Sequence, residues 1–145
     1  MTNTLAGPQL EAVLERLFAE AAKDPDRRAQ LPAGRADATA SPQERADALA
    51  ALYIPISADA GRLLYALVRA SRPDTVVEFG TSFGISTIYL AAAVTDNGTG
   101  RVVTTELSTR KAEATATSKA RFAARLSGFA RALSAAVTTM SWLMK

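Results

Sequence analysis

The chain has 145 residues, enough for one domain, of which 48% are hydrophobic and 21% charged. This balance is typical of a folded globular protein and argues against disorder. The chain contains neither His nor Cys, which excludes Ser–His–Asp catalysis, His-based metal sites, disulfides, thiolate nucleophiles and Cys-based zinc sites. The side chains left for acid–base chemistry are therefore Asp, Glu, Lys and Tyr.

The net charge of +3 is small but unevenly distributed along the chain, because five cations and no acid follow Glu113. No recognition motif or aromatic stacking pattern accompanies these cations, so we interpret the region as a solvated basic helix rather than a nucleic-acid surface. No apolar run approaches the roughly 20 residues needed to cross a bilayer. The first ten residues lack the pattern of a secretory signal, so a cytoplasmic protein without membrane association is expected.

Two helices are predicted before residue 55. Pro8 and apolar residues at helical spacing up to position 21 indicate the first helix, which Asp24-Pro25 should end. Residues 26–40 are polar and contain Pro and Gly, which is typical of a connector. The sequence Ser-Pro-Gln-Glu at 41–44 is a capping box and predicts a second helix to about Leu52. We interpret residues 1–55 as an N-terminal helical cap.

The next segment leads into the core of the predicted domain. Residues 53–56 are short, apolar and interrupted by proline, which favours a loop that enters the core. Ser57 can cap a third helix, and Arg-Pro-Asp at 72–74 should end it. The helical spacing predicts a buried face made of Leu63, Leu64, Leu67 and Val68.

Residues 75–106 have the pattern of one right-handed βαβ unit of a parallel sheet. A β-prone run at 75–79 is followed by a glycine turn, an Ala-rich apolar helix at 84–94 and a turn cluster at 96–100. A second strand follows at 101–105, with Glu106 at its end. The order strand, turn, helix, turn, strand predicts an α/β fold.

The glycine turn and Glu106 together indicate a site for a nucleoside-bearing cofactor. Gly80 and Gly84 permit positive φ angles and let a ligand approach the main chain. The N-terminus of the following helix favours an anion. Glu106 lies 106 − 84 = 22 residues beyond the second glycine, where an acid can accept hydrogen bonds from ribose hydroxyls. By itself the G-x-x-x-G spacing would be only a packing turn.

The stretch VVEFGTSFGIS at 76–86 resembles the first motif of class I S-adenosylmethionine (SAM)-dependent methyltransferases. Its Glu-x-Gly-Thr-x-x-Gly-x-Ser form is similar to that of the small O-methyltransferases, which include catechol and caffeoyl-CoA methyltransferases. Residues 56–64 and 100–106 resemble the helix ahead of the first strand and the second strand of that family. The resemblance implies a Rossmann-like methyltransferase fold and SAM as cofactor.

The resemblance also implies roles for individual residues. Gly80 and Gly84 would approach the methionine part of the cofactor, Glu78 would hold its amino end, Ser86 would bind its carboxylate and Glu106 would bind the ribose. The alternatives are a strand-end carboxylate satisfied by neighbouring backbone N–H groups for Glu78 and an ordinary first-turn hydroxyl for Ser86. Ser57 and Asp59 are either a helix cap and a first-turn acid or cofactor contacts. The complete set of cofactor-binding residues implied by the motif is Glu78, Gly80, Thr81, Ser82, Gly84, Ser86 and Glu106.

Family members transfer the methyl group to a small-molecule hydroxyl, usually with a divalent cation held by carboxylates and an Asn. The strands that carry those metal ligands are not recognisable after Glu113, so no metal ligand and no catalytic residue is assigned. Nucleic acid and membranes are not expected as partners, and a homodimer is left open. The sequence thus predicts a helical cap at 1–55, a partial SAM-binding Rossmann-like domain at 56–113, and only the N-terminal half of the fold.

Residues 114–145 form an atypical, basic, Ala-rich tail in which no strand is predicted. Apolar residues at spacings of three or four between 122 and 143 predict an amphipathic helix, whose functional interpretation is a surface for a partner or a membrane. Our hypothesis for the tail is a frameshift or premature stop near residue 114. The expectation is then an inactive fragment that is poorly soluble, because two parallel strands would leave edges and apolar faces uncovered.

Two other functions remain as alternatives. A short-chain nicotinamide oxidoreductase has a similar glycine turn, but it needs a Tyr-x-x-x-Lys pair. The residues four positions after Tyr53, Tyr65 and Tyr89 are Ser, Arg and Ala, so that pair is missing. The other alternative is a non-catalytic protein that binds a nucleotide cofactor or a protein partner.

Overall fold

The computed structural model describes residues 3–31, 39–115 and 138–139. A short 3-10 helix at Thr4–Ala6 precedes the first α-helix. The regular elements are α1 Pro8–Ala21, α2 Asp24–Ala29, α3 Pro42–Ala48, α4 Ala58–Ser71, β1 Thr75–Phe79, α5 Ile85–Asn97, β2 Arg101–Glu106 and β3 Thr138–Thr139. Residues 109–115 are also helical.

The N-terminal helices follow the local signals, with two corrections. Pro8 occupies the first turn of α1, and α3 has the predicted capping box, in which Glu44 N donates to Ser41 Oγ at 3.2 Å and Ser41 N donates to Glu44 Oε2 at 2.7 Å. The predicted connector was wrong at its start, because α2 begins at Asp24 and places Pro25 in its own first turn. Helix α3 ends at Ala48 rather than near Leu52. Residues 32–38 of the predicted connector lie outside the described residues.

Helix α4 is capped by Ser57 as predicted, since Ala60 N donates to Ser57 Oγ at 3.1 Å. Its packing stripe against α5 consists of Gly61, Leu64, Tyr65 and Val68, spaced at 3.6-residue periodicity. The predicted buried face was therefore half wrong. Leu63 and Leu67 are 59% and 55% exposed because they lie outside this stripe, Leu63 on the opposite side of the helix and Leu67 beside the stripe.

The predicted βαβ unit is confirmed. Strands β1 and β2 are parallel, with Thr75 opposite Arg101 and Phe79 opposite Thr105, and α5 connects them. The class is therefore the predicted Rossmann-like α/β. The expectation that no strand follows Glu113 was wrong, because β3 pairs in parallel with β2 and gives the sheet order β1-β2-β3. Both of its residues are β-branched, which favours a strand. They lie within the segment 122–143, whose apolar spacing predicts a helix instead. The rest of that segment lies outside the described residues.

The core lies between the sheet and the helices α1 and α4, with α5 in the centre. Residues 87–94 of α5 are all buried, which explains why its sequence is apolar on every side. The N-terminus is held against α5 by the Asp96 carboxylate, which accepts hydrogen bonds from Thr4 N and, at 2.6 Å, from Tyr65 Oη. Within the described ranges, no helix combines the length and apolar character needed to cross a membrane.

Candidate cofactor site

The glycine turn lies at the carboxyl ends of β1 and β2. Gly80 N and Thr81 N both donate to Thr105 O at 2.9 Å, which folds the turn over the end of β2. Gly80 and Gly84 have φ angles of 85° and 86°, in the region that only glycine adopts without strain. A Cβ built at either glycine would have no heavy atom within 4 Å. Gly80 is exposed and Gly84 is buried, so the turn presents bare backbone to open space at Gly80, as the sequence predicts for a ligand-binding turn.

Glu106 connects the turn to β2. Its Oε2 accepts a hydrogen bond from Ser82 N at 2.6 Å, and its Oε1 accepts from Leu107 N at 2.9 Å and Ser108 N at 2.8 Å. The side chain is buried. A carboxylate has about four acceptor positions, so the described residues use three and leave one, on Oε2.

Glu78 lies beneath the turn and is held by three hydroxyl groups rather than by backbone amides. Ser86 Oγ donates to Oε1 at 2.5 Å, whereas Thr87 Oγ1 and Thr104 Oγ1 donate to Oε2 at 2.5 and 2.6 Å. Thr81 Oγ1 shares its single proton between Thr104 Oγ1, with which it makes a short hydrogen bond, and Thr105 O at 3.0 Å. The hydroxyl of Thr81 therefore faces the interior of the sheet.

The N-terminus of α5 is open to an anion. The caps of α3 and α4 are Ser41 and Ser57, whose hydroxyls accept from backbone N–H groups. Helix α5 is capped by Gly84 and has no hydrogen bond from a side chain at this end. Free first-turn N–H groups and the helix dipole favour a carboxylate or phosphate at this position.

A cleft of about 430 Å³ opens beside the turn. Its polar side is formed by Glu78, Ser82, Ser86 and the backbone of Gly80, and its remaining wall is mostly aliphatic side chains of α4 and β1. A cleft with a few convergent polar groups on an apolar wall is the usual form of a small-molecule site. The structure thus brings the residues predicted from the motif to one edge of the sheet; Glu106 bonds Ser82 N there but does not line the cleft.

An aromatic pair beside the turn is not evident from the sequence. The rings of Tyr53 and Phe83 stack with centroids 4.0 Å apart. Tyr53 and Ile56 pack against the core, which confirms the predicted loop, while Ile54 is exposed and has a φ of 46°. Asp24 accepts hydrogen bonds from the N–H groups of Tyr53 and Ile54. Two residues 30 positions apart carry no pattern from which their stacking could be predicted.

Lys111 is the second feature beside the glycine turn that the sequence did not reveal. Its side chain is buried, and its Nζ lies 5.8 Å from the centroid of the Phe83 ring. Burial lowers the pKa of Lys111, and the negative charge of Glu106 partly opposes this shift. The charges of Lys111 and Glu106, the predicted ribose acceptor, therefore interact.

Two further expectations concern Ser57, Asp59 and metal ligands. Ser57 is a helix cap, and Asp59 forms an exposed ion pair with Arg62 at 2.8 Å; neither lines the cleft. Among residues 3–31 and 39–115, no three Asp or Glu side chains cluster in a way that could hold a metal ion.

Comparison with known proteins supports the resemblance found in the sequence. Residues 77–142 match the family model of a methyltransferase domain, which confirms the resemblance predicted from residues 76–86. The matched range includes residues 114–142, the segment for which a different reading frame is our hypothesis. That hypothesis stays a prediction, which the nucleotide sequence through this region would test. A search of curated protein sequences finds no match.

Three solved structures are similar to the chain over most of its length. An O-methyltransferase from Bacillus cereus in complex with SAH has 24% identity, covers 86% of this chain and has a TM-score of 0.49. The cofactor-bound protein Rv0187 from MTB has 27% identity, 89% coverage and a TM-score of 0.48. The O-methyltransferase TomG from Streptomyces achromogenes in complex with SAM has 26% identity, 82% coverage and a TM-score of 0.47. The chain spans 42%, 50% and 50% of their respective lengths.

Proposed function

We propose that this chain binds SAM at the glycine turn and is the cofactor-binding part of an O-methyltransferase that acts on a small-molecule hydroxyl. The observation that carries the proposal is the hydrogen bond from Ser82 N of the turn to Glu106 Oε2. This bond lies at the carboxyl edge of a parallel sheet, in a segment that matches a methyltransferase domain. Ligands of open α/β sheets bind at this edge. This edge of the sheet supports a nucleoside as the ligand, because Glu106, an acceptor for ribose hydroxyls, lies beside the bare backbone of the turn.

In this proposal Glu106 binds the ribose. Its Oε2 has one acceptor position beyond the bond from Ser82 N, and this position would accept a ribose hydroxyl. Ser82 itself is held in place by its hydroxyl, which donates to Tyr53 O at 2.7 Å. The bond to Glu106 and the bond to Tyr53 fix the turn before the ligand arrives, so less ordering is needed when the ligand binds.

The methionine end would lie across the start of α5. The uncapped N–H groups of this helix suit the carboxylate, while Glu78 suits the ammonium group. To bind the same carboxylate, Ser86 would turn its hydroxyl proton away from Glu78 Oε1, to which it now donates. Gly80 and Gly84 let the chain of the ligand approach the backbone because no Cβ stands in the way. Thr81 would contribute only its backbone, since its hydroxyl faces Thr104.

SAM would supply a methyl group on a positively charged sulfur. The oxygen of the acceptor hydroxyl would bond to the methyl carbon and displace the sulfur. The residues described here bind and orient the cofactor, and none of them is assigned as a general base. A divalent cation is part of the proposal only by resemblance to the family. We also place the protein in the cytoplasm and leave the homodimer as a proposal.

The direct test is equilibrium dialysis of the full chain with SAM, S-adenosylhomocysteine and NAD⁺. We expect the first two to bind and NAD⁺ not to bind. Binding of NAD⁺ alone would contradict the proposal and favour an oxidoreductase. Methyl transfer is then tested with catechol and Mg²⁺; turnover would exclude the non-catalytic alternative.

A further inference from the structure

The carboxylate of Glu78 is bound unequally at its two oxygens. Oε2 accepts from two threonine hydroxyls, Thr87 on α5 and Thr104 on β2, and both threonines are buried. Within residues 3–31 and 39–115, Oε1 accepts from Ser86 alone, which lines the cleft. The threonines therefore hold one oxygen inside the sheet and turn the other toward the cleft.

The donor at Thr104 is itself supported from the turn. Since the hydroxyl proton of Thr104 goes to Glu78, the short hydrogen bond between Thr104 and Thr81 is donated by Thr81. A chain of hydroxyl groups that ends on the Glu78 carboxylate thus joins the turn to β1, β2 and α5. Successive hydrogen bonds of this kind polarise one another and strengthen the last bond.

We propose that Thr87 and Thr104 are positioning residues that aim Oε1 of Glu78 at the ammonium group of the bound cofactor. The inference rests on the proposed function, because it assumes that SAM binds at the glycine turn. Without the threonines, Oε2 would lose both of its donors and the carboxylate could rotate away from the cleft. The ammonium group would then meet a carboxylate that is neither oriented nor fixed.

The test compares two ligands that differ at the methionine end. S-adenosylhomocysteine carries the ammonium group, whereas 5′-methylthioadenosine lacks the whole amino acid part. Dissociation constants of both are measured by calorimetry for the full chain and for the Thr87→Val and Thr104→Val variants. Partial unfolding of a variant raises both apparent constants by the same factor, so the ratio of the two constants reports on positioning rather than on folding.

We expect each valine variant to weaken S-adenosylhomocysteine about tenfold, because a fixed hydrogen bond to a charged group is lost. Binding of 5′-methylthioadenosine should change by less than about twofold, within measurement scatter. Thr87→Ser and Thr104→Ser should restore the wild-type ratio because they retain the hydroxyl. The matched control is Thr95→Val on the same helix as Thr87, where the hydroxyl donates to Ala91 O at 2.8 Å, and it should leave the ratio unchanged.

Other outcomes overturn the inference in distinguishable ways. Equal weakening of both ligands in the valine variants would show that the threonines act on structure alone. Unchanged binding of S-adenosylhomocysteine would show that Glu78 needs no positioning. A wild-type chain that binds neither ligand would overturn the proposed function and the inference with it.

Discussion

Replacing Glu106 by Gln tests whether one carboxylate both folds the turn and binds the ligand. The carboxylate accepts three backbone N–H groups, at distances of 2.6 to 2.9 Å. An amide has one oxygen and one NH₂ group. With its oxygen toward Leu107 and Ser108, the Gln side chain would place its NH₂ group against Ser82 N. Two donors would then face each other where the shortest of the three bonds is now.

The expected loss of stability follows from these three bonds. A hydrogen bond to a charged group contributes about 1.5 to 3 kcal/mol and a neutral one about 0.5 to 1.5 kcal/mol. One charged bond is lost and two become neutral. Taking about 2.2 kcal/mol for a charged bond and about 1 kcal/mol for a neutral one, we expect the free energy of unfolding to fall by about 4 to 5 kcal/mol. Because Ser82 N is the group left unpaired, the loss is centred on the glycine turn.

Urea denaturation followed by circular dichroism measures this change, and calorimetry with S-adenosylhomocysteine measures the binding that depends on the same turn. The matched control is Glu15→Gln, the same chemical change at an exposed position on α1, with an expected effect within about 0.5 kcal/mol. If Glu106→Gln unfolds at the same urea concentration as the control, Glu106 does not hold the turn and the argument from its three bonds is wrong.

Four further changes test other parts of the fold. Gly61→Ala should lower the free energy of unfolding by about 1 to 2 kcal/mol, because the new Cβ would lie 2.3 Å from the ring of the buried Tyr89; thermal unfolding checks this, and an unchanged melting temperature would contradict it. Ser108→Ala should raise the free energy of unfolding by about 1 kcal/mol, since its buried Oγ has no hydrogen-bond partner among the described residues; a loss of stability in urea would show that the hydroxyl is bonded. Although burial opposes the shift, hydrogen bonds to Asp24 lower its pKa from 3.8. Its contribution is therefore complete above about pH 3.8 and is lost as the pH falls through the lowered value, so acid titrations of Asp24→Asn should show a smaller loss of stability than wild type. Phe79→Lys should reduce self-association in sedimentation velocity, because this side chain is 74% exposed on a strand with one unpaired edge among the described residues; equal association of both proteins would exclude this face as its cause.

The sequence predicted the elements that depend on neighbouring residues. The capping box at Ser41, the cap at Ser57 and the turn between Gly80 and Gly84 are local signals, and each is found where it was expected. The sequence could not show that Leu67 is exposed, because an apolar residue on a helix gives no indication of which side meets a neighbour. It also missed Lys111, whose burial depends on Phe83 and other residues distant in the chain.

The hydroxyl cluster around Glu78 shows the same limit within the site. The motif identifies Glu78 and Ser86, eight residues apart, but Thr104 reaches the carboxylate only because β2 pairs with β1 in one register, with Glu78 opposite Thr104. A shift of one residue would turn Thr104 to the other face of the sheet. Binding residues carried by one segment can be predicted from a motif, whereas the residues that orient them depend on the register.

Folding and cofactor binding are linked in this site because the same atoms serve both. Among the residues that the structure describes, Glu106 Oε2 binds Ser82 N and has one acceptor position left, and Glu78 Oε1 is held by Ser86 alone. A ligand that uses these positions binds the folded turn and not the unfolded chain. It should therefore stabilise the protein by about 2.7 kcal/mol at a concentration 100 times its dissociation constant. At a fixed ligand concentration this stabilisation should be smaller in Glu106→Gln, which binds the ligand more weakly, and unchanged in Glu15→Gln. A ligand-induced rise in melting temperature that is equal in both variants would place the ligand elsewhere.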